Sequence, residues 1–111
     1  MYNELNIFAK IIRGEVPCRM VFEDDAVLAF RDISPRCATH VLVVPKTQSV
    51  TFADFVKNQS PEVVAHFFKM VEHIARDVLN LESFRLNVHN GENEGQEVPH
   101  FHIHILSNSK S

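Results

Sequence analysis

The chain has no tryptophan, one tyrosine, three glycines and two cysteines among its 111 residues. Cys18 and Cys37 stand far apart with no C-x-x-C spacing. They read as free thiols of a reducing compartment rather than a disulfide framework. No apolar run approaches the ~18 residues of a membrane span, and the N-terminal stretch lacks the apolar core of a signal peptide. The expectation is a soluble, cytoplasmic protein. There is no basic block either: 11 Lys and Arg against 14 Asp and Glu give a net charge of −3. That argues against a nucleic-acid polymer as partner. It leaves room for a single nucleotide, which needs only a few donors. Repeats and low-complexity tracts are absent.

What is present suffices for one domain with one core, built on nine phenylalanines and many Val, Ile and Leu. Residues 1–106 read as that domain, and 107–111 as a short polar, disordered tail. Residues 5–13 read as a short helix closed by Gly14. Met20–Glu23 and Val27–Phe30 read as a hairpin turning at Asp24-Asp25. His40–Val44 is a buried-strand run stopped by Pro45. Residues 51–57 read as a helical turn. Ser60-Pro61-Glu62 is a helix start, with an N-cap, a proline at the first position and an acid in the first turn. Val64, Phe67, Phe68, Val71, Ile74, Ala75, Val78 and Leu79 then keep a 3.6-residue period over about five turns. Phe84–Val88 and His100–Leu106 read as strands around a turn-rich loop, Asn90–Gly95. The expected class is α+β, an antiparallel sheet of about five strands with one long and one short helix.

The last strand carries the chemistry. His100, His102 and His104 alternate, so a strand places them on one face, with Phe101, Ile103 and Ile105 on the other. The apolar face wants a core; an imidazole face has no packing reason to exist. Three rings so close disfavour common protonation, so most are neutral at pH 7 and can act as ligand, nucleophile or proton carrier. A metal reading needs a third ligand, for which His40 and Glu97 are candidates. Its usual hosts are a (β/α)₈ barrel of about 250 residues or a cupin without a long helix, and both fit this chain poorly. A nucleophile reading has one histidine attack phosphorus, with its neighbours orienting it and moving protons. Gly91 and Gly95 in the preceding loop let backbone N–H groups close on phosphate oxygens.

The segment Gly95-Gln96-Glu97-Val98-Pro99-His100-Phe101-His102-Ile103-His104-Ile105 resembles the histidine triad motif, in which histidines alternate with apolar residues. Ile7–Pro17, Phe22–Pro35 and Thr39–Lys46 resemble other segments of that family, in its Hint-like, nucleotide-binding branch. The resemblance implies that His102 attacks the α-phosphorus of a nucleotide conjugate, giving a nucleotidyl-histidine that water hydrolyses. It implies catalytic support from His104 and His40 at the phosphate and from His100 behind the nucleophile. Asp32 would accept the ribose hydroxyls. Ile7, Phe8, Ile11, Phe30 and Ile33 would form the slot for the base. Gly95, Gln96, Glu97 and Val98, with His89, would surround the phosphate. The implied activity is a nucleotide phosphoramidase or hydrolase on a purine nucleotide or nucleoside phosphoramidate, releasing AMP, in a homodimer and without a cofactor. A nucleotide-binding regulatory protein with little turnover is the second reading, and a metal hydrolase the third.

The chain departs from the family pattern in three respects. His89 stands where the family has asparagine, with Asn90 beside it. Glu97 stands where serine or threonine is common. Asn6, Ala9 and Gln48 replace the two cysteines and the histidine that hold a structural zinc with the first triad histidine in many bacterial relatives. No metal is therefore expected. His66 and His73, seven residues apart on the long helix, read as flanks of that helix, and Lys10, Arg31, Arg36 and Lys46 as solvated cations, any of which could steer phosphate.

Overall fold

A computed structural model describes residues 1–110. Residue 111, the end of the expected tail, lies outside them. The fold is α+β. Five strands, β1 (Met20–Glu23), β2 (Val27–Arg31), β3 (Thr39–Pro45), β4 (Arg85–Asn87) and β5 (Ile103–Ser107), form one sheet in the order β1-β2-β3-β5-β4. Every pairing is antiparallel. The last strand in sequence therefore lies inside the sheet, flanked by β3 and β4.

Local chemistry sets the element ends. Asn6 Oδ1 accepts from Ala9 N–H at 2.9 Å and starts α1 (Ile7–Ile12). Gly14, at φ +78°, ends it: its N–H reaches Ile11 O at 3.0 Å and Glu15 N–H reaches Lys10 O at 2.9 Å. That pair of bonds is a Schellman motif. Asp24 Oδ1 accepts from the N–H groups of Ala26 and Val27 at 2.8 and 2.7 Å, which closes the β1–β2 turn. The expected helical turn after residue 50 is a separate helix, α2 (Phe52–Asn58), started by a Thr51/Asp54 capping box. α3 (Pro61–His73) is capped by Ser60 as expected. It does not keep its period to Leu79. Residues Ile74–Val78 widen into a π turn, with Leu79 N–H on Ile74 O at 2.8 Å, and Asn80 at φ 56° ends the helix.

The sheet is buried on both faces at its centre, so every residue of β3 is buried. On one face Val27, Ala29, Val41, Val43, Ile103 and Ile105 pack against Phe55, Phe67, Val71 and Ile74 of α2, α3 and the π turn. Phe101 joins them, stacked on Phe55 at 4.9 Å between ring centroids. On the other face Leu28, Phe30, Leu42 and Val44 pack against Phe8 of α1. Each buried phenylalanine contributes about 1.5–3 kcal/mol by leaving water.

The strand expected from His100 begins only at Ile103. Pro99 has no N–H to give a ladder. His100 N–H turns back to Val98 O at 2.8 Å, and Phe101 N–H bonds Ser49 O at 2.8 Å instead of a strand neighbour. The three histidines therefore do not form one continuous imidazole face. At its other end β5 includes Ser107, whose Oγ donates to Ser83 O at 2.8 Å, and Thr39 Oγ1 donates to Ser109 O at 2.6 Å. Residues 107–109 are thus tied to the sheet. No helix among the described residues is long and apolar enough to cross a membrane.

Candidate active site

The two ends of the triad have different surroundings. His100 is fully buried. Its Nε2 lies 2.7 Å from Pro45 O, an atom that can only accept, so Nε2 carries the proton. Nδ1 then accepts from Tyr2 Oη–H at 2.6 Å. Burial holds the His100 pKa down at about 4, with repulsion from His102 adding to it against the pull of the Pro45 carbonyl.

His102 Nδ1 lies 2.7 Å from the carbonyl oxygen of His100. That acceptor fixes the proton on Nδ1 and leaves Nε2 with its lone pair. Phe8 stacks edge-to-face on the ring at 4.9 Å. Burial lowers the His102 pKa, and the nearby His89 adds to the effect, so the lone pair survives at neutral pH.

A second chain of bonds orients His104. Arg36 N–H donates to His40 Nδ1 at 3.2 Å, so the His40 proton sits on Nε2. That Nε2 lies 2.9 Å from His104 Nδ1, and the remaining His104 proton is on its Nε2. Neutral His104 thus keeps one N–H to donate. Burial first, then His102, His40 and His89, push its pKa down to about 4. The His40 pKa is also lowered by burial, against the attraction of Asp32.

Three connected hollows surround these rings. A cleft of about 570 Å³ is lined by Ile7, Phe8, Ile11, Phe30, Ile33 and Asp32, with Glu97 and Val98 at its inner end. All the expected slot residues border it. Ile33 is almost fully exposed at its mouth, whereas Phe8 and Phe30 belong to the core below. Asp32 Oδ1 is occupied by Ser34 N–H at 2.7 Å, and Oδ2 lies 3.5 Å from His40 Nε2. Next comes a hollow of about 110 Å³ bordered by His89, Gly95, Glu97, His102 and His104. Beyond it lies a third, bordered by His40, His89 and His104.

The loop before the triad is shaped by two glycines with positive φ, Gly91 at 100° and Gly95 at 93°, conformations that side chains strain to adopt. Gln96 does not face the hollow. Its Oε1 accepts from Gly91 N–H at 2.8 Å, and its Nε2 donates to Val50 O at 2.6 Å and Val98 O at 3.0 Å, so it braces the loop from below. Asn90 is turned away too, its Oδ1 accepting from Ala53 N–H at 2.8 Å. His89 is the member of that pair at the site, its ring centroid 5.5 Å from that of His104. Glu97 is exposed and borders both the cleft and the hollow.

Asp32, His40 and His104 bring three metal-ligating atoms within 4.8 Å of one another. The 2.9 Å separation of the two ring nitrogens holds a hydrogen bond, and His40 would have to give up the Arg36 N–H to offer Nε2 as a ligand. The zinc position of bacterial relatives does not fit a metal. Asn6 caps α1, Ala9 has no donor, Gln48 bonds Glu4 at 3.0 Å, and both ring nitrogens of His100 are engaged. Of the other histidines, His66 pairs with Asp24 at 2.8 Å and His73 with Asp77 at 3.0 Å, away from the triad. Sequence reasoning missed Tyr2 and the Arg36 backbone; neither bond has a local signal.

The fold and the site define an antiparallel α+β domain whose alternating histidines meet at a lined cleft. The chain belongs to the HIT family: the HIT domain pattern matches residues 13–111. It is 39% identical over 111 residues to an uncharacterised HIT-like protein of Rickettsia prowazekii, covering 99% of this chain and 92% of that one. A histidine triad protein from Clostridium difficile has a similar structure, with a TM-score of 0.84 and 38% identity over all of this chain and 96% of that one. A HIT family hydrolase from Legionella pneumophila gives a TM-score of 0.83 at 37% identity, covering 94% and 93%.

Proposed function

We propose that this chain is a nucleotide hydrolase that cleaves at the α-phosphorus of a purine nucleoside conjugate and releases AMP. The bond from His102 Nδ1 to the His100 carbonyl, 2.7 Å, carries this reading. It presents an unprotonated Nε2 beside a hollow whose other wall includes a proton donor, His104. The Nε2 lone pair forms a bond to phosphorus, and the bond to the leaving group breaks with its electrons on the leaving atom. An amine or a phosphate departing this way takes a proton from solvent. Water then attacks phosphorus, its proton passes to solvent, and the electrons of the P–N bond return to Nε2. His104 Nε2–H holds a phosphate oxygen through both steps, with His40 fixing its tautomer.

The cleft of about 570 Å³ supports a nucleoside beside that phosphate, its base among Ile7, Phe8, Ile11, Phe30 and Ile33, its ribose hydroxyls at Asp32. The exposed Leu86 and Val88 at the sheet edge support a homodimer. Two free cysteines fit a cytoplasmic location.

The test is incubation with adenosine 5′-phosphoramidate. AMP release that disappears in His102→Ala, with an AMP adduct on His102 in an acid-free quench, is the expected result. Tight AMP binding without release would replace the hydrolase by a nucleotide-binding regulator. Activity abolished by chelators would make it a metal hydrolase.

A further inference from the structure

The third hollow, about 140 Å³, lies on the far side of His104 from the nucleoside cleft. It shares His89, His104 and Arg36 with the hollow beside His102, and shares neither histidine with the large cleft. Its outer wall is β4. The register pairs Asn87 with His104 and Arg85 with Leu106, so Arg85 and Asn87 lie on the same sheet face as His104. Arg36 and Cys37 close the opposite side.

This wall is cationic in a chain of net charge −3. Neither Arg36 nor Arg85 has a carboxylate within 4.0 Å among the described residues, whereas Arg13, Lys46 and Arg76 each do. Arg85 Nη2 donates to Cys37 Sγ at 3.4 Å, a weak acceptor. A guanidinium has five N–H donors suited to an oxyanion, and most of those on Arg85 have no protein partner. The volume equals that of a few water molecules at about 30 Å³ each, which admits one phosphoryl or carboxylate group and leaves anything larger outside.

We infer that this recess is the leaving-group subsite and that Arg85 selects leaving groups bearing their own negative charge, a β-phosphate or a carboxylate next to the departing amine. The inference rests on the hydrolase reading above. With a β-phosphate, the His102 Nε2–P bond forms as the α-phosphorus–bridging oxygen bond breaks, and the oxygen leaves with the electron pair as phosphate. The departing phosphate takes a proton from solvent and leaves as hydrogen phosphate.

The experiment compares kcat/KM for three adenosine conjugates: the 5′-phosphoryl adducts of glycine and of glycinamide, which differ in one carboxylate, and adenosine diphosphate. The wild-type chain should favour glycine over glycinamide about tenfold, the worth of one charge-assisted hydrogen bond. Arg85→Gln should bring that ratio close to one, or cut diphosphate cleavage about tenfold; the first result identifies a carboxylate, the second a phosphate. Arg76→Gln removes the same charge on α3's side of the molecule and should leave both quantities as in the wild type. Cleavage with equal glycine and glycinamide rates, and with diphosphate turnover insensitive to Arg85→Gln, overturns the subsite and leaves the hydrolase standing. No cleavage of any conjugate overturns both.

Discussion

The hydroxyl of Tyr2 donates to His100 Nδ1 at 2.6 Å, joining residues 98 positions apart. It closes a sequence of bonds that ends on the candidate nucleophile: Tyr2 to the His100 ring, the His100 ring to Pro45 O, and the His100 carbonyl to His102 Nδ1. Tyr2 thereby satisfies a buried ring nitrogen of the first triad histidine.

Replacing Tyr2 by phenylalanine keeps the edge contact of the rings, 5.5 Å apart, and removes only the hydroxyl. The buried Nδ1 is left without its donor. The unfolding free energy should fall by about 1–2 kcal/mol, read from urea denaturation. Tyr2→Leu, which also loses the ring contact, should cost more. An unchanged urea midpoint in Tyr2→Phe would show that the bond contributes nothing. As a positioning residue, Tyr2 should affect kcat more than KM.

Acid should destabilise the fold through its buried histidines. His100 ionises near 6.5 when unfolded and at about 4 when folded. The unfolded chain therefore binds the proton first, and stability is lost as pH falls from 6.5 towards 4. At ~1.4 kcal/mol per pKa unit, His100 alone accounts for about 3 kcal/mol across that window. His40, His102 and His104 are shifted the same way and add to the loss. Urea unfolding at pH 7.5 and pH 4.5 measures it. Equal midpoints at the two pH values would mean that His100 is protonated in place.

Much of this molecule is legible in its sequence because the informative signals are local. The Ser60-Pro61 start, the Gly14 stop and the Asp24 turn act within a few residues, and each forms the bond its chemistry suggests. The alternation of Phe101, Ile103 and Ile105 gives the core face. It misleads about the histidines because Pro99 and the tight Val98–His100 turn delay the strand to Ile103, three residues past His100. His100 is thereby drawn into the interior, where alternation has no meaning. The π turn after His73 also breaks a period that the apolar residues alone would continue. Tyr2 acts through a contact set by tertiary structure, which no spacing rule reaches; the Arg36 N–H reaches His40 only four residues on, but a backbone amide carries no residue-type signal.

His89 is the residue most open to a decisive test. Its ring lies 5.5 Å from that of His104, at the hollow where an asparagine is usual in the family. Positive charge on it disfavours protonation of both His102 and His104. The nucleophile must be neutral, so activity falls on the acid side as His102 takes a proton. With His89 present, the His102 pKa is held lower and the acid limb lies at lower pH. His89→Asn removes that repulsion while keeping a hydrogen-bond donor. The acid limb of kcat/KM for an adenosine phosphoramidate should move to higher pH, with the plateau little altered. A profile that superimposes on the wild type would show that His89 carries no charge while His102 titrates, and that this departure from the family is a matter of shape alone.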